Sequence, residues 1–132
     1  MSDEQLTLDD LLIDEEELSE SLLAETLIEY IRIGEDNGTI IPQPEYEDLT
    51  NRQKIVVILL AQHALEKLDI AEDEWLSPTD IAERSGIKKG SVYPVVRTLE
   101  NDGVFKNNDG SYRLPVYSFE AAKEVLPGED DE

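Results

Sequence analysis

Residues 77–114 decide the fold, and they read SPTDIAERSGIKKGSVYPVVRTLENDGVFKNNDGSYRL. Ser77 is a typical N-cap residue, Pro78 suits the first position of a helix, and Gly86 is placed to end that helix after about eight residues. This opening predicts a short helix followed by a tight turn at Ile87.

A longer amphipathic helix is expected next. It begins between Lys88 and Ser91, runs to about Asp102 and ends at Gly103. Apolar residues recur along it at three- and four-residue spacing and therefore face the interior: Val92, Val95, Val96 and Leu99. A β-hairpin over 104–114 follows, because Asp-Gly between alternating residues favours a tight turn. Its turn residues are fully explained by that geometry: Asn107, Asn108 and Gly110.

Ahead of this stretch, a helix is predicted from Thr50 or Asn51 to about Leu68. Its apolar run, 55–61, is too broad for one face, so we expect a core helix that is buried on most sides. Residues 69–76 read as an acidic connection to the next helix.

The sequence GSVYPVVRTLENDG at residues 90–103 resembles the recognition-helix signature of PadR-like winged-helix regulators. The shared features are a small-residue pair, an aliphatic residue, Tyr-Pro, and then Leu-Glu and Gly before the wing. MarR-like regulators share the looser Leu-Glu-x-x-Gly ending. Covering residues 51–117, the resemblance implies a mainly α winged helix-turn-helix domain with a small β-hairpin wing, in a dimeric transcription factor. The family's long C-terminal dimerisation helix is missing, since residues 118–132 predict one short helix and an acidic tail.

An N-terminal amphipathic helical extension precedes the domain. Residues 15–33 are expected to be helical, with a stripe of apolar residues: Leu18, Leu22, Leu23, Leu27, Ile28, Tyr30 and Ile31. The rest of the 15–50 segment predicts a short strand at 39–41 and a linker at 42–50. Residues 1–14 are acidic and leucine-rich, and we expect a mobile tail; the alternative is a short helix capped by Thr7 and Asp10.

Nine side chains are candidates for contact with DNA: Lys88, Lys89, Ser91, Tyr93, Pro94, Arg97, Asn101, Lys106 and Arg113. Arg97 suits bidentate contact with guanine, and Tyr93 suits a thymine methyl or a phosphate. The lysines suit phosphates at the helix start, and Pro94 is expected in the first turn, where its missing N–H costs no hydrogen bond.

Four of the candidates have a structural alternative. In that alternative, Tyr93 packs against helix 51–68, Arg97 pairs with Glu100 or Glu83, and Lys88 and Lys89 are ordinary surface residues.

Charge is distributed unevenly along the chain. The 132 residues carry 11 Lys+Arg and 32 Asp+Glu, a formal net charge of −21. Residues 77–113 carry six basic and five acidic residues, so this segment escapes the acidity around it, as a surface that approaches a polyanion must. The composition resembles that of haloarchaeal proteins, which work in multimolar salt. The alternative is an acidic interaction protein from an ordinary cell.

Composition excludes several kinds of chemistry. There is no cysteine and only one histidine, His63, which we expect to be structural. We therefore expect no enzyme, no cofactor and no metal site. The longest apolar run is far shorter than the roughly 20 residues of a membrane span, and the chain opens without a secretion signal, so we expect a cytoplasmic protein.

These observations predict a sequence-specific regulator that binds double-stranded DNA. The recognition helix is expected at about 89–102 and the wing at 104–114, in a homodimer for which 15–33 is the candidate contact. The alternative is a winged-helix module that binds a partner protein through its acidic N-terminal region and does not bind DNA.

Overall fold

The described part of the chain is mainly helical, with two small antiparallel hairpins. The structure is a computed structural model of residues 6–127, without the side chains of residues 15, 16, 18 and 19. The helices are α1 (Glu15–Leu27), α2 (Pro44–Glu47), α3 (Asn51–Lys67), α4 (Pro78–Ser85), α5 (Lys89–Asn101) and α6 (Phe119–Val125). The strands are β1 (Ile31–Ile33), β2 (Ile40–Pro42), β3 (Lys106–Asn108) and β4 (Ser111–Arg113).

Helix α4 is capped as the sequence predicts. The Ser77 hydroxyl accepts a hydrogen bond from the Asp80 N–H at 3.1 Å, and the Asp80 carboxylate accepts one from the Ser77 N–H at 3.3 Å. Gly86 ends the helix in the left-handed conformation, with φ of 82°. The predicted short helix and its tight turn are therefore confirmed.

The longer helix and the hairpin are confirmed as well. Val92, Val96 and Leu99 are fully buried on one side of α5. In the hairpin, Asp109 and Gly110 both have positive φ, the geometry of a two-residue β-turn that matches strand twist.

Helix α3 forms the centre of the core. All side chains of residues 55–61 are buried, and α1, α4, α5 and α6 pack around this helix. Thr50 begins it, because its hydroxyl accepts from the Gln53 N–H at 3.2 Å and its own N–H donates to Gln53 Oε1 at 3.0 Å. The predicted core helix is thus confirmed.

The N-terminal helix is shorter than predicted. It ends at Leu27, and residues 31–33 form β1, which pairs with β2 in an antiparallel register. The predicted helix end was wrong because the apolar residues Ile31 and Ile33 fit a strand as well as a helix. The predicted short strand at 39–41 is present as β2.

The predicted linker at 42–50 is wrong as a description of this segment. It contains α2, and it places Tyr46 and Leu49 in the core. The Tyr46 hydroxyl donates a hydrogen bond to the Ser85 carbonyl at 3.0 Å and so joins this segment to α4.

Residues on both sides of 51–117 complete the same core. Leu23, Leu27 and Tyr30 contribute from the N-terminal side, and Phe119 and Ala122 contribute from α6. Along residues 6–127, no helix has both the length and the apolar character needed to cross a bilayer.

The capping contact between Thr7 and Asp10 is present in the N-terminal leucine-rich segment, where it caps one short turn. Leu8–Leu11 form a 3-10 helical turn, and the Thr7 N–H donates to the Asp10 carboxylate at 2.7 Å. Every side chain from Leu6 to Asp14 is exposed. The predictions for residues 1–5 and for the acidic tail 128–132 lie outside the described residues.

Candidate nucleic-acid interface

The outer face of α5 carries a ridge of polar side chains at four-residue spacing: Lys89, Tyr93, Arg97 and Asn101. All four are exposed, while the opposite face of the helix is buried. The Lys89 ammonium lies 6.0 Å from the centre of the Tyr93 ring. The ridge therefore presents two cations, an aromatic ring and an amide toward solvent.

The structure separates the alternatives for these side chains. Tyr93 is 41% exposed, so it does not pack into the core against α3. Among the described residues, Arg97 forms no ion pair with Glu83 or Glu100. Both side chains are thus available to an outside ligand.

The start of α5 is open. Lys88 occupies the N-cap position, and a lysine side chain has no oxygen with which to cap the first N–H groups. Lys88, Lys89 and Ser91 are all exposed at this end. A helix start with free N–H groups and nearby cations favours an anion.

Gly90, the second residue of α5, was not among the predicted contact residues. A side-chain carbon placed there would meet no atom within 4 Å, and the backbone φ is not positive. Glycine in a helix costs about 1 kcal/mol relative to alanine, and nothing in the packing requires it here. Without a side chain at this position, the helix start stays accessible. In the sequence, Gly90 could have been recognised as a contact residue because it directly follows the predicted helix start.

Pro94 lies deeper in the helix than predicted. Because α5 begins at Lys89, Pro94 is its sixth residue and not part of the first turn. The carbonyl of Gly90 therefore loses its usual N–H donor. Pro94 itself is exposed on the outer face, and its carbonyl accepts a hydrogen bond from the Thr98 hydroxyl at 3.0 Å.

The β3–β4 hairpin is joined to α5 by polar contacts. The Asn107 amide nitrogen donates hydrogen bonds to Glu100 Oε1 and to the Tyr112 hydroxyl, both at 3.3 Å. The Asn107 carbonyl oxygen accepts a hydrogen bond from the Gly110 N–H. Burial and then the Glu100 carboxylate raise the pKa of Tyr112, whereas the Arg97 guanidinium acts in the opposite direction. Asn107 therefore does more than form the turn, because it fixes the hairpin beside the ridge.

Lys106 and Arg113 face each other across the hairpin but differ in surroundings. Lys106 is exposed. The Arg113 guanidinium lies 3.3 Å from Glu74 Oε1 and 5.3 Å from the Trp75 ring, so these two residues hold the half-buried side chain. Of the two predicted contacts on the hairpin, only Lys106 is free to meet a ligand.

Glu74 also reaches the buried histidine. His63 Nδ1 lies 3.1 Å from Glu74 Oε1, and its ring meets the Phe119 ring edge-on at 5.2 Å between centres. The expectation that His63 is structural agrees with this position. Glu74 thereby links α3 to the hairpin, a role that its place in an acidic connection did not reveal.

One carboxylate near the ridge has a cationic partner, since Asp102 pairs with Arg52 at 3.0 Å. Glu100 accepts a hydrogen bond from the neutral Asn107 amide and keeps its charge. Asp109 is exposed at the tip of the hairpin and adds a negative charge there.

Comparison with known proteins finds no match. No family model, no curated protein and no solved structure matches this chain. The resemblance of residues 90–103 to PadR-like regulators therefore rests on the sequence motif alone.

The arrangement suits the binding of an anionic ligand. Cations, an aromatic ring and amides line one exposed helix and the adjoining hairpin. These groups bind phosphate and base edges, and a helix of this width fits a groove of about 12 Å.

Proposed function

We propose that residues 51–117 form a winged helix-turn-helix that binds double-stranded DNA as part of a cytoplasmic transcriptional regulator. The observation that carries the proposal is the exposed ridge of Lys89, Tyr93, Arg97 and Asn101 on a helix with an otherwise buried face. The order of elements supports it: α3, a strand residue at Leu76 that bridges to Tyr112, α4, α5 and the β3–β4 hairpin.

In this proposal, α5 is the recognition helix. Arg97 reads guanine through two hydrogen bonds, Asn101 reads adenine, and Tyr93 contacts a thymine methyl. Lys88, Lys89 and the open helix start contact phosphates.

The hairpin acts as the wing. Lys106 contacts the DNA backbone, while Arg113 supports the hairpin through its ion pair with Glu74.

Net charge sets the conditions for binding. A molecule with a charge of −21 repels DNA in dilute buffer. At about 1 M salt the screening length falls to about 3 Å, which removes this repulsion but also most of the gain from counterion release. Affinity then depends on short-range hydrogen bonds, apolar contacts and shape, which the ridge supplies.

Selection of a random duplex library by the full chain in multimolar KCl tests the proposal. We expect enrichment of a defined sequence, and we expect Arg97→Ala to weaken its binding about 10- to 100-fold, because a bidentate contact with guanine is lost. Lys123→Ala removes the same charge from an exposed residue of α6 and is the matched control, with unchanged affinity. Failure to enrich any sequence, or equal affinities of the two variants, contradicts the proposal.

A second candidate is a protein-interaction module. The exposed leucine-rich residues 6–13 favour it, because apolar side chains in water indicate a missing partner. Arg97→Ala distinguishes the two functions. It is expected to weaken DNA binding, whereas the binding of a partner protein through residues 6–13 should be unchanged.

A further inference from the structure

The segment of residues 6–13, here the leucine segment, exposes five large apolar side chains. Their exposed fractions are Leu6 86%, Leu8 81%, Leu11 75%, Leu12 76% and Ile13 62%. The capped turn at Leu8–Leu11 gives the segment a defined local shape. Several large apolar side chains exposed within eight residues mark a candidate interaction site.

An apolar groove lies elsewhere on the same molecule. It has a volume of about 380 Å³ and runs between α1, β1 and the C-terminal end of α3. Leu23, Leu27 and Ile31 line it, together with Ile28 and Leu68, which are themselves 53% and 59% exposed. A cavity of about 150 Å³ holds a benzene-sized group, so the groove has room for two or three leucine side chains.

The groove is more basic than most of the chain, because Arg32 and Lys67 line it together with a single acidic residue, Glu20. Outside residues 77–113 the chain has only five Lys and Arg residues, and two of them, Arg32 and Lys67, line this groove. The Arg32 guanidinium donates to the Ile31 carbonyl at 2.9 Å and to the Ile28 carbonyl, which holds it at the edge of the groove. The leucine segment carries Asp9 and Asp10 between its leucines.

We propose that the leucine segment of one copy occupies the groove of a second copy of this chain, and that the exchange is reciprocal. Both halves of the contact are encoded in one chain, which is what a two-fold symmetric dimer requires. The segment does not cover its own groove, because none of residues 6–13 lines it and all of their side chains are exposed. This pairing does not depend on DNA binding.

The chain contains no cysteine, so single cysteines report this contact directly. Leu11→Cys marks the segment and Ile28→Cys marks the groove, both at exposed sites that leave the core intact. The two variants are prepared separately, mixed in multimolar KCl and oxidised mildly. Tyr117→Cys, which is 73% exposed and outside the groove, replaces Ile28→Cys as the matched control.

We expect the mixed disulfide between positions 11 and 28 to form about tenfold faster than that between positions 11 and 117, because docking raises the local thiol concentration. Equal rates overturn the proposal. A chain with both Leu11→Cys and Ile28→Cys that closes its disulfide within one molecule, at a rate independent of protein concentration, also overturns it in favour of folding back.

Light scattering supplies a second measurement. The wild-type chain is expected to be a dimer, and Leu8→Asp with Leu11→Asp is expected to be a folded monomer by circular dichroism. A monomeric wild type, or a dimer that survives both substitutions, contradicts the exchange.

Discussion

At the scale of single residues, Tyr46 shows how one side chain joins distant parts of the chain. It is buried, its hydroxyl donates to the Ser85 carbonyl, and the Lys54 ammonium lies 5.4 Å from its ring centre. Burial, with a smaller contribution from the Glu47 carboxylate, raises the pKa of Tyr46 from 10.0 to about 12. The neutral phenol is therefore the form that the fold stabilises.

The raised pKa predicts a loss of stability at alkaline pH. Because the folded pKa lies above the unfolded one, the stabilisation is complete below pH 10 and is lost as the pH rises to about 12. The loss amounts to about 2–3 kcal/mol of unfolding free energy.

Urea unfolding of wild type and Tyr46→Phe between pH 8 and about pH 12 measures this loss of unfolding free energy. The loss is expected in wild type and not in Tyr46→Phe. Tyr117→Phe, which removes an exposed phenol, is the control and should keep the wild-type profile. A loss of equal size in Tyr46→Phe would show that another group is responsible.

At the scale of elements, the connection between α3 and α4 works as a structural link. Leu76 exchanges both backbone hydrogen bonds with Tyr112, at 2.9 and 2.8 Å, and so extends the β3–β4 hairpin by a third strand position. Glu74, two residues earlier, lies between His63 of α3 and Arg113 of β4. The position of the hairpin beside α5 therefore depends on this connection.

Glu74→Ala is predicted to lower the unfolding free energy by about 2 kcal/mol, because the Arg113 guanidinium loses its charged partner. Urea unfolding measures the change, and hydrogen exchange at β3 and β4 locates it. Glu72→Ala removes an exposed carboxylate from the same connection and should change stability by less than about 0.5 kcal/mol. If Glu74→Ala lowers the unfolding free energy no more than Glu72→Ala does, the contact between Glu74 and the hairpin does not stabilise the protein.

At the scale of the whole molecule, the uneven charge is the main physical feature. Residues 77–113 carry a net charge of +1, and the rest of the chain has five basic and 27 acidic residues, a net charge of −22. Such a molecule repels itself in dilute buffer and gains stability when salt screens its charges.

We predict that the thermal midpoint rises steeply with KCl between about 0.1 M and 3 M, by about 4 °C for each kcal/mol of repulsion removed. Exchange of Glu25, Asp36 and Glu72 for their amides leaves a net charge of −18 and should reduce the dependence on salt. All three side chains are exposed, so their removal does not disturb the core. A midpoint that does not respond to KCl contradicts the halophilic interpretation.

The sequence alone determined the local elements from α3 to β4. Their caps, turns and apolar spacing depend on neighbours within a few residues, as Ser77 with Asp80 and Asp109 with Gly110 show. The same local rules predicted the outward face of α5, including Tyr93 and Arg97.

Only the tertiary structure decided which side chains are free. Arg97 and Arg113 are equivalent by sequence, yet one faces solvent and the other is held by Glu74, 39 residues away. The same holds for Ile31 to Ile33, which become a strand because β2 folds back to pair with them. Long-range contacts of this kind leave no periodic signal along the chain, and so they appear only when the chain is folded.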